Sequence, residues 1–255
     1  MTGLLEGKRI AVTGASRGIG RAIALTAARE GAAVAVLYRT RAEAAAEVAK
    51  TIEDDHGGTA VHLAFDHCEF DTIDLSVGAV ADALGGLDAW VGCGSEVLEG
   101  LFVTSDAERL RRQLDVALVG PMLAARAAIE RMMRPHDGRR GGVLLFIGSV
   151  AAARPARGQA AYAAAKGGIE SLTRALAVEY AKKGIRALCL RPGAVDTDML
   201  EATRALAESE LEARIPLKRV ATPEDVAEHA VFMLSDRASY ATGSVVTVDG
   251  GYVIA

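Results

Sequence analysis

Aromatic side chains and cysteine are both scarce in this 255-residue chain. Phe, Tyr and Trp make up only 4% of the residues although 51% are hydrophobic, so alanine and aliphatic residues must form the core. Alanine-rich segments favour close packing of helices on a sheet over an aromatic-rich β-sandwich. The three cysteines, Cys68, Cys93 and Cys189, are odd in number and widely spaced. They argue against a disulfide framework or a zinc site and indicate a reduced, cytoplasmic protein.

The sequence also lacks signals for membranes, export and nucleic acids. The apolar stretch around Ala117–Ala125 is closed by Arg126 and is too short to span a bilayer. No basic region followed by an apolar run opens the chain, so we expect no secretory signal. The formal net charge is −4, and no stripe of basic residues indicates a nucleic-acid partner.

Short apolar segments alternate with longer helical patterns along the whole chain. The expected strands are Arg9–Thr13, Ala33–Tyr38, Val61–Phe65, Ala89–Gly92, Val143–Ile147, Ala187–Arg191 and Val245–Val248. Most are continuous apolar runs, which are typical of parallel strands buried on both faces. The expected helices are Ile19–Glu30, Arg41–Asp54, Ser76–Leu84, Asp106–Arg134, Tyr162–Lys183 and Pro223–Leu234. This alternation predicts an α/β, doubly wound Rossmann fold, with a mostly parallel seven-stranded sheet and helices on both faces.

No repeat, linker or break in composition divides the chain, so residues 1–255 are predicted to form a single domain that both binds a dinucleotide and carries the catalytic groups. Only Asp196–Arg219 departs from the alternation, because it is charged, helical in pattern and follows a strand end. Ligands of open α/β sheets bind at the carboxyl ends of the strands. This segment is therefore a candidate lid over the substrate.

A glycine-rich turn runs from Thr13 to Gly20 between the first strand and the first helix. Glycines in this pattern permit a tight turn, a close approach to a pyrophosphate and close packing of helix on strand. The N-terminus of the helix adds backbone N–H donors and a positive dipole end. The residues expected to bind the cofactor phosphates here are Gly14, Ser16, Arg17, Gly18, Ile19 and Gly20.

The second strand ends in Arg39-Thr40-Arg41, without the acidic residue that accepts the ribose 2′-OH of NAD. Arg39, with Arg17 on the other side, offers a guanidinium fork suited to a 2′-phosphate. The sequence therefore favours NADP(H) over NAD(H). Arg41 is explained more simply as the solvated start of a helix.

Three residues near the expected cofactor site have more than one interpretation. Asp66 follows the third strand and can accept a hydrogen bond from the adenine amino group. His67 comes next, where packing against the cofactor or a plain loop role fits better than catalysis. Cys93 follows the fourth strand, and a small buried apolar role is favoured over a reactive thiol.

The combination of Ser149, Tyr162 and Lys166 indicates proton transfer to a carbonyl oxygen. Lys166 lies one helical turn after Tyr162 on the same face. A phenol by itself releases its proton only near pH 10, so an ammonium that stabilises the phenolate makes Tyr162 a usable general acid and base. Ser149 can hydrogen-bond to the carbonyl oxygen as charge develops on it.

These motifs, with Arg191-Pro-Gly-Ala-Val-Asp-Thr197 and Thr242-Gly-Ser-Val-Val-Thr-Val-Asp-Gly-Gly251, resemble the single-domain branch of the short-chain dehydrogenase/reductase family, 3-oxoacyl-thioester reductase-like group. The resemblance covers nearly the whole chain. It implies that Ser149, Tyr162 and Lys166 are catalytic, with Tyr162 and Lys166 also touching the cofactor. It further implies that the nicotinamide end is held by Pro192, Gly193, Val195 and Thr197.

The implied activity is an NADPH-dependent reduction of a ketone to a secondary alcohol, or the reverse. The substrate would be a small molecule, free or attached to a carrier. Arg154 and Arg157 would then attract an anionic carrier, and a solvated loop is the alternative. In the family, the helices that match the Ala-rich Asp106–Arg134 and Tyr162–Lys183 build a four-helix interface. A homotetramer is therefore expected, with a dimer as the alternative.

Two departures from the family pattern leave other functions open. Val91-Gly-Cys-Gly-Ser-Glu96 replaces the usual Asn-Asn-Ala-Gly, and Ala117 stands where the family has an Asn that supports a proton-relay water. One alternative is a diverged enzyme that performs redox-neutral acid/base chemistry. The other is a non-catalytic NADP-binding protein.

Overall fold

A single parallel sheet of seven strands carries helices on both of its faces, which confirms the predicted Rossmann fold. The computed structural model describes residues 3–135, 138, 140–198 and 208–255. The strands lie in the order β3-β2-β1-β4-β5-β6-β7, and every neighbouring pair is parallel. Their bounds are β1 Arg9–Thr13, β2 Ala33–Tyr38, β3 Ala60–Ala64, β4 Ala89–Gly92, β5 Gly142–Ile147, β6 Ile185–Pro192 and β7 Val245–Val248.

The connecting helices begin and end close to the positions that the sequence predicts. Their bounds are α1 Gly18–Arg29, α2 Ala42–His56, α3 Ile73–Leu84, α4 Ala107–Leu114, α5 Gly120–Met132, α6 Ala160–Tyr180, α7 Glu208–Arg214 and α8 Pro223–Leu234. α6 continues into a 3₁₀ turn at Ala181–Lys183, where the predicted helix ends. None of the described helices is long and apolar enough to cross a lipid bilayer.

Each strand contributes side chains to two separate cores, because successive residues of a strand point to opposite faces of the sheet. In β2, Val34 and Val36 pack into the core beneath α1, α2 and α8. Ala35 and Leu37 pack into the core beneath α3, α5 and α6. Burial on both faces explains why the strands read as continuous apolar runs instead of alternating ones.

The helix predicted over Asp106–Arg134 extends from Ala107 to Met132, but its hydrogen bonding changes in the middle. A π-helical turn, Asp115–Val119, separates α4 from α5, and the N–H of Gly120 donates to the carbonyl of Asp115 across it. Pro121 gives the physical reason, because proline has no N–H for the carbonyl of Ala117 and its ring crowds that carbonyl. A wider turn relieves this conflict without ending the helix.

The order of the strands reverses between β1 and β4: the chain runs outward from β1 to β3 on one side and from β4 to β7 on the other. The connections that follow β1 and β4 therefore lead towards opposite sides. A crevice forms at such a switch point, outside the carboxyl ends of the strands. The segment predicted as a lid, Asp196–Arg219, belongs to this edge of the sheet, but residues 199–207 of it lie outside the described part. Ile215 is buried near Gly250, and the Leu217 N–H donates to the Gly250 carbonyl at 3.2 Å, which anchors the end of the segment.

Gly120 is the point at which helix α5 meets the loop after β3. A Cβ atom at Gly120 would lie 2.2 Å from the carbonyl oxygen of His67, whereas one at Gly167 in α6 would meet no atom within 4 Å. We predict that Gly120→Ala lowers the free energy of unfolding by about 1–3 kcal/mol through overpacking. Gly167→Ala should raise it by about 0.5–1 kcal/mol through helix propensity. Urea unfolding followed by circular dichroism measures both, and equal effects of the two would contradict the steric explanation.

Candidate active site

A cleft of about 1090 Å³, open to solvent, lies at the carboxyl ends of the first four strands. Glycines, arginines and small polar side chains line it. The residues predicted to bind the phosphate and adenosine end of the cofactor come together here, with Thr197 from the predicted nicotinamide contacts: Gly14, Ser16, Arg17, Gly18, Ile19, Gly20, Arg39, Asp66, His67 and Thr197. The cleft therefore unites motifs that are far apart in the sequence.

The floor of the cleft is the close approach of the β1 and β4 backbones. Gly14 has a φ of +65°, and a Cβ atom on it would lie 2.7 Å from the Cα of Gly94. The hydroxyl of Thr13 accepts hydrogen bonds from the N–H groups of Cys93 at 2.9 Å and Gly94 at 3.0 Å. It also donates to the carbonyl of Val91 at 3.3 Å. The unusual glycines after β4 thus belong to a hydrogen-bonded turn.

Three arginines stand at the adenosine end, and each is paired with a carboxylate. Arg17 and Arg41 both donate to Asp198 Oδ2, at 2.5 and 3.3 Å, and Arg39 donates to Glu96 Oε2 at 3.1 Å. The hydrogen bond from Arg17 holds the pKa of Asp198 below its usual range. Arg41 lines the cleft, so its interpretation as only a solvated helix start is incomplete. This end of the cleft has the donor set that a phosphate requires.

Asp66 and His67 form one wall of the cleft. Asp66 Oδ1 accepts from the N–H of Cys68 at 2.9 Å, and the His67 ring packs edge-on against Phe65. Burial, followed by the positive charge of Lys166, lowers the pKa of His67 to about 4. His67 is thus neutral near pH 7 and is poorly suited to exchange a proton there.

Two buried polar atoms of this wall have no hydrogen-bond partner among the described residues. They are His67 Nε2 and Ser95 Oγ, and both residues line the cleft. An unpaired buried polar atom is unfavourable unless a bound group satisfies it. Together with the glycine turn and the arginines, these atoms fit a polar ligand that carries phosphate groups.

The proposed catalytic side chains lie where β5 and α6 meet, beyond the lining of this cleft. Tyr162 is 9% and Lys166 5% exposed. The Lys166 ammonium donates to the carbonyl of Ile147 at 2.8 Å and lies 5.6 Å from the centre of the Tyr162 ring. Ser149 Oγ accepts from the N–H of Ala151 at 3.1 Å, so its own proton is available to another acceptor. The charge of Lys166 also acts on His67 and on Cys93, which places it electrostatically beside the cleft.

The segment after β6 divides between framework and cleft. Val195 is buried and pairs with Ala221 in an isolated bridge, and Pro192 closes β6. A Cβ atom on Gly193 would lie 2.8 Å from the Cα of Asp249. Only Thr197 of the predicted nicotinamide contacts lines the cleft, beside Gly18. Pro192, Gly193 and Val195 thus fix the path of the backbone after β6.

An ion pair that the sequence analysis missed ties α6 to the sheet. Arg191 donates to both carboxylate oxygens of Glu170, at 2.7 and 2.6 Å, and Glu170 is 7% exposed. Glu170 lies one turn after Lys166, and Arg191 lies one residue before Pro192. A bidentate pair fixes geometry as well as charge. It therefore aligns the helix of Lys166 with the strand that leads to the nicotinamide segment. The sequence signal for this pair was an arginine on the predicted strand Ala187–Arg191 and a glutamate on the preceding predicted helix, Tyr162–Lys183.

A smaller cleft of about 250 Å³ lies between α4 and the start of α6. Leu98, Phe102 and Leu110 line one side, and Ala160 and Ala161 line the side next to Tyr162. The Gly100 N–H donates to the Gly158 carbonyl at 3.0 Å and joins the two walls of this cleft. Ser105, Arg109 and Gln113 also line it, so its walls are partly polar.

Two further residues take roles that the sequence left open. Burial raises the pKa of Cys93 to about 12, which makes it a protonated thiol and not a nucleophile. Arg154 donates to the carbonyls of Tyr252 and Ala255 and stacks over the Tyr252 ring. It is engaged within the chain, whereas Arg157 is exposed.

Comparison with known proteins agrees with this geometry. A family model described as enoyl-(acyl carrier protein) reductase matches residues 14–253. A 3β-hydroxysteroid dehydrogenase of Eggerthella lenta is 36% identical over 98% of this chain and 95% of its own length. A human 3-oxoacyl-[acyl-carrier-protein] reductase is 37% identical over 96% and 97%. The crystal structure of a short chain dehydrogenase from Burkholderia cenocepacia J2315 in complex with NADP superposes with a TM-score of 0.89 at 31% identity, covering 98% and 99%.

The buried, neutral His67 gives the fold a defined pH dependence. Its pKa is about 4 when folded, against about 6.5 for an unperturbed histidine, so the unfolded chain binds the extra proton between these values. Stability contributed by neutral His67 is present above pH 6.5 and is lost as the pH falls towards 4, by about 3 kcal/mol. Denaturant titrations at pH 7.0, 6.0 and 5.0 should show this decline. The decline should be flatter in His67→Asn and unchanged in His62→Asn, an exposed control. Equal slopes in all three proteins would contradict the assignment.

Proposed function

Because the chain belongs to the short-chain dehydrogenase/reductase family of oxidoreductases, we propose that it is an NADP(H)-dependent ketoreductase that uses Tyr162 as general acid and base. It reduces a ketone to a secondary alcohol, or catalyses the reverse. The observation that carries this proposal is the burial of Tyr162 and Lys166 side by side, with Ser149 on the adjoining turn. We further propose that residues 1–255 act as one domain in this reaction.

The family uses a nicotinamide cofactor, which supplies or accepts the hydride when bound. Tyr162 gives its phenolic proton to the carbonyl oxygen in the direction of reduction and takes it back in the reverse direction. Lys166 stabilises the phenolate that forms, and its bond to the Ile147 carbonyl fixes the direction of the ammonium. The Ser149 hydroxyl donates to the substrate oxygen as negative charge develops there. Pro192, Gly193, Val195 and Thr197 hold the nicotinamide end.

The preference for NADP(H) rests on the arginines at the end of the cleft. Arg39 occupies the tip of β2, where an enzyme selective for NAD(H) has an acidic residue. Arg17 approaches from the glycine turn, and the two together form a clamp for a 2′-phosphate. Asp66 is placed to accept from the adenine amino group, and His67 packs beneath the adenine.

The substrate is a small carbonyl compound or alcohol that binds beside Tyr162. Attachment of the substrate to a carrier is a prediction, for which Arg157 offers an exposed cation in the loop between Ser149 and Tyr162. The lid function of Asp196–Arg219 and the cytoplasmic location are likewise predictions.

Ala117 gives one specific reason to keep redox-neutral chemistry as a second candidate. It is 1% exposed and lies in the π-helical turn, so its methyl group cannot hold a relay water by a hydrogen bond. Slow resupply of protons to Tyr162 would favour a reaction that returns the proton within one turnover. Formation of product without a change in nicotinamide absorbance would identify this case.

The first prediction of the proposed mechanism concerns Tyr162. Oxidation of NADPH with a panel of β-keto thioesters, cyclic ketones and quinones should fall by about 10²–10⁴-fold in Tyr162→Phe, since the proton donor is lost. The decrease in absorbance of NADPH measures it. Tyr180→Phe, at the far end of the same helix, is the matched control and should retain activity.

Measuring NADPH binding shows whether a loss of activity comes from lost catalysis or from lost cofactor binding. Titration calorimetry should give Tyr162→Phe an NADPH affinity within about tenfold of that of the unaltered protein, because only one hydroxyl contact with the cofactor is lost. Oxidation that persists in Tyr162→Phe would contradict the role of Tyr162. Tight NADPH binding without turnover on any carbonyl would favour the non-catalytic alternative.

A homotetramer is proposed as the working assembly, supported by exposed apolar side chains on the helices expected to form the interface. Met122 on α5 is 44% exposed and Val178 on α6 is 83% exposed. We predict that Val178→Arg dissociates the tetramer, since a charge would be buried without a partner. Sedimentation velocity at micromolar concentration measures this, with Val103→Arg outside both helices as the control. A monomer for the unaltered chain would contradict the proposal.

A further inference from the structure

Glu96 stands beside the proposed 2′-phosphate site but is not part of any motif for cofactor binding. It follows β4, more than fifty residues after Arg39, and the fold brings the two together. Arg39 donates to Glu96 Oε2 at 3.1 Å, and Arg112 of α4 donates to Glu96 Oε1 at 2.7 Å. One carboxylate is therefore shared between a cofactor-site arginine and a helix arginine.

The position of Glu96 is fixed by more than these charges. The buried side chain of Gln113 donates to the Glu96 carbonyl at 2.9 Å and accepts from the Leu98 N–H at 2.8 Å. Arg112 and Gln113 are consecutive residues of α4, so one turn of helix holds both the backbone and the carboxylate of Glu96. Such a supported carboxylate loses less entropy on pairing than an exposed, free one.

Glu96 carries its negative charge throughout the neutral pH range. Partial burial raises the pKa of its carboxyl, but the hydrogen bonds from Arg112 and Arg39 outweigh burial and hold the pKa below its ordinary value. Arg39 thus has an anionic partner at every pH at which the enzyme would work.

We propose that Glu96 competes with the cofactor 2′-phosphate for Arg39 and thereby sets how strongly the protein prefers NADP(H) over NAD(H). A guanidinium that turns towards the 2′-phosphate gives up its bond to Glu96, so each binding event exchanges one anionic partner for another. NAD(H) has an uncharged hydroxyl at this position, so Arg39 can keep its bond to Glu96 when NAD(H) binds. Glu96 therefore weakens the binding of NADP(H) selectively. This inference rests on the proposed role of Arg39 as a ligand of the 2′-phosphate.

Glu96→Gln provides the test, because the amide keeps the shape of the side chain and removes its charge. Titration calorimetry at low salt gives the dissociation constants of NADP⁺ and NAD⁺. The ratio of the NAD⁺ constant to the NADP⁺ constant should rise about fivefold in Glu96→Gln, the scale of one partly exposed ion pair. The ratio should not change in Glu108→Gln, which removes an equal charge from an exposed position of α4. An unchanged ratio in Glu96→Gln, or equal weakening of both cofactors, would overturn the proposal.

A second pair of variants tests whether the effect passes through Arg39. In an Arg39→Met background, Glu96→Gln should leave the ratio where Arg39→Met alone puts it. A rise of the same size with and without Arg39 would overturn the competition. Failure of the proposed cofactor preference is distinguishable, because it would appear as an unaltered protein that binds NAD⁺ at least as tightly as NADP⁺. A rise in the ratio on Glu96→Gln would support the competition in that case as well.

Discussion

The close approach of β1 and β4 is the constraint on which the rest of the site depends. At a switch point, the connections that follow two neighbouring parallel strands lead away in opposite directions and leave a crevice between them. The shape of this crevice depends on how closely the two strand ends approach each other. The Thr13 hydroxyl holds them by accepting two N–H groups of the turn after β4. Gly14 and Gly94 allow that contact because neither has a Cβ atom to keep the backbones apart. This junction fixes the turn at Cys93 and Gly94, which lines the cleft.

Positive charge at the rim of the cleft is partly offset within the chain, because the arginines there share two carboxylates. The arginines at 17, 39 and 41 meet carboxylates that come from the segment after β6 and from the turn after β4. Exposed ion pairs of this kind are worth little to stability. A phosphate can therefore rearrange these pairs easily, and its affinity then reflects the difference between two sets of partners. On the proposed role of Arg39, this difference, and not the number of arginines, would set the preference between the two cofactors.

Most of the fold follows from local patterns, because parallel strands buried on both faces leave long apolar runs that few other structures produce. The glycine turn and the Tyr162–Lys166 spacing are local as well, so sequence alone predicts them. The pairing of Glu96 with Arg39 depends on strand order, and the Glu170–Arg191 pair depends on how α6 lies on the sheet. Neither ion pair produces a pattern within a single segment of the sequence. Such contacts between distant residues were the ones missed.

The π-helical turn illustrates how one residue can be informative when read for its backbone chemistry. Ala117 attracts attention because the family pattern has Asn there, yet a side chain at 117 is not needed to interrupt the helix. Pro121 removes the N–H that an α-helix would direct at the carbonyl of Ala117, whatever residue 117 is. The widened backbone is thus specified independently of the missing Asn side chain. Because Pro121 acts through the backbone, the shape of the helix at this point does not require a side-chain amide at residue 117.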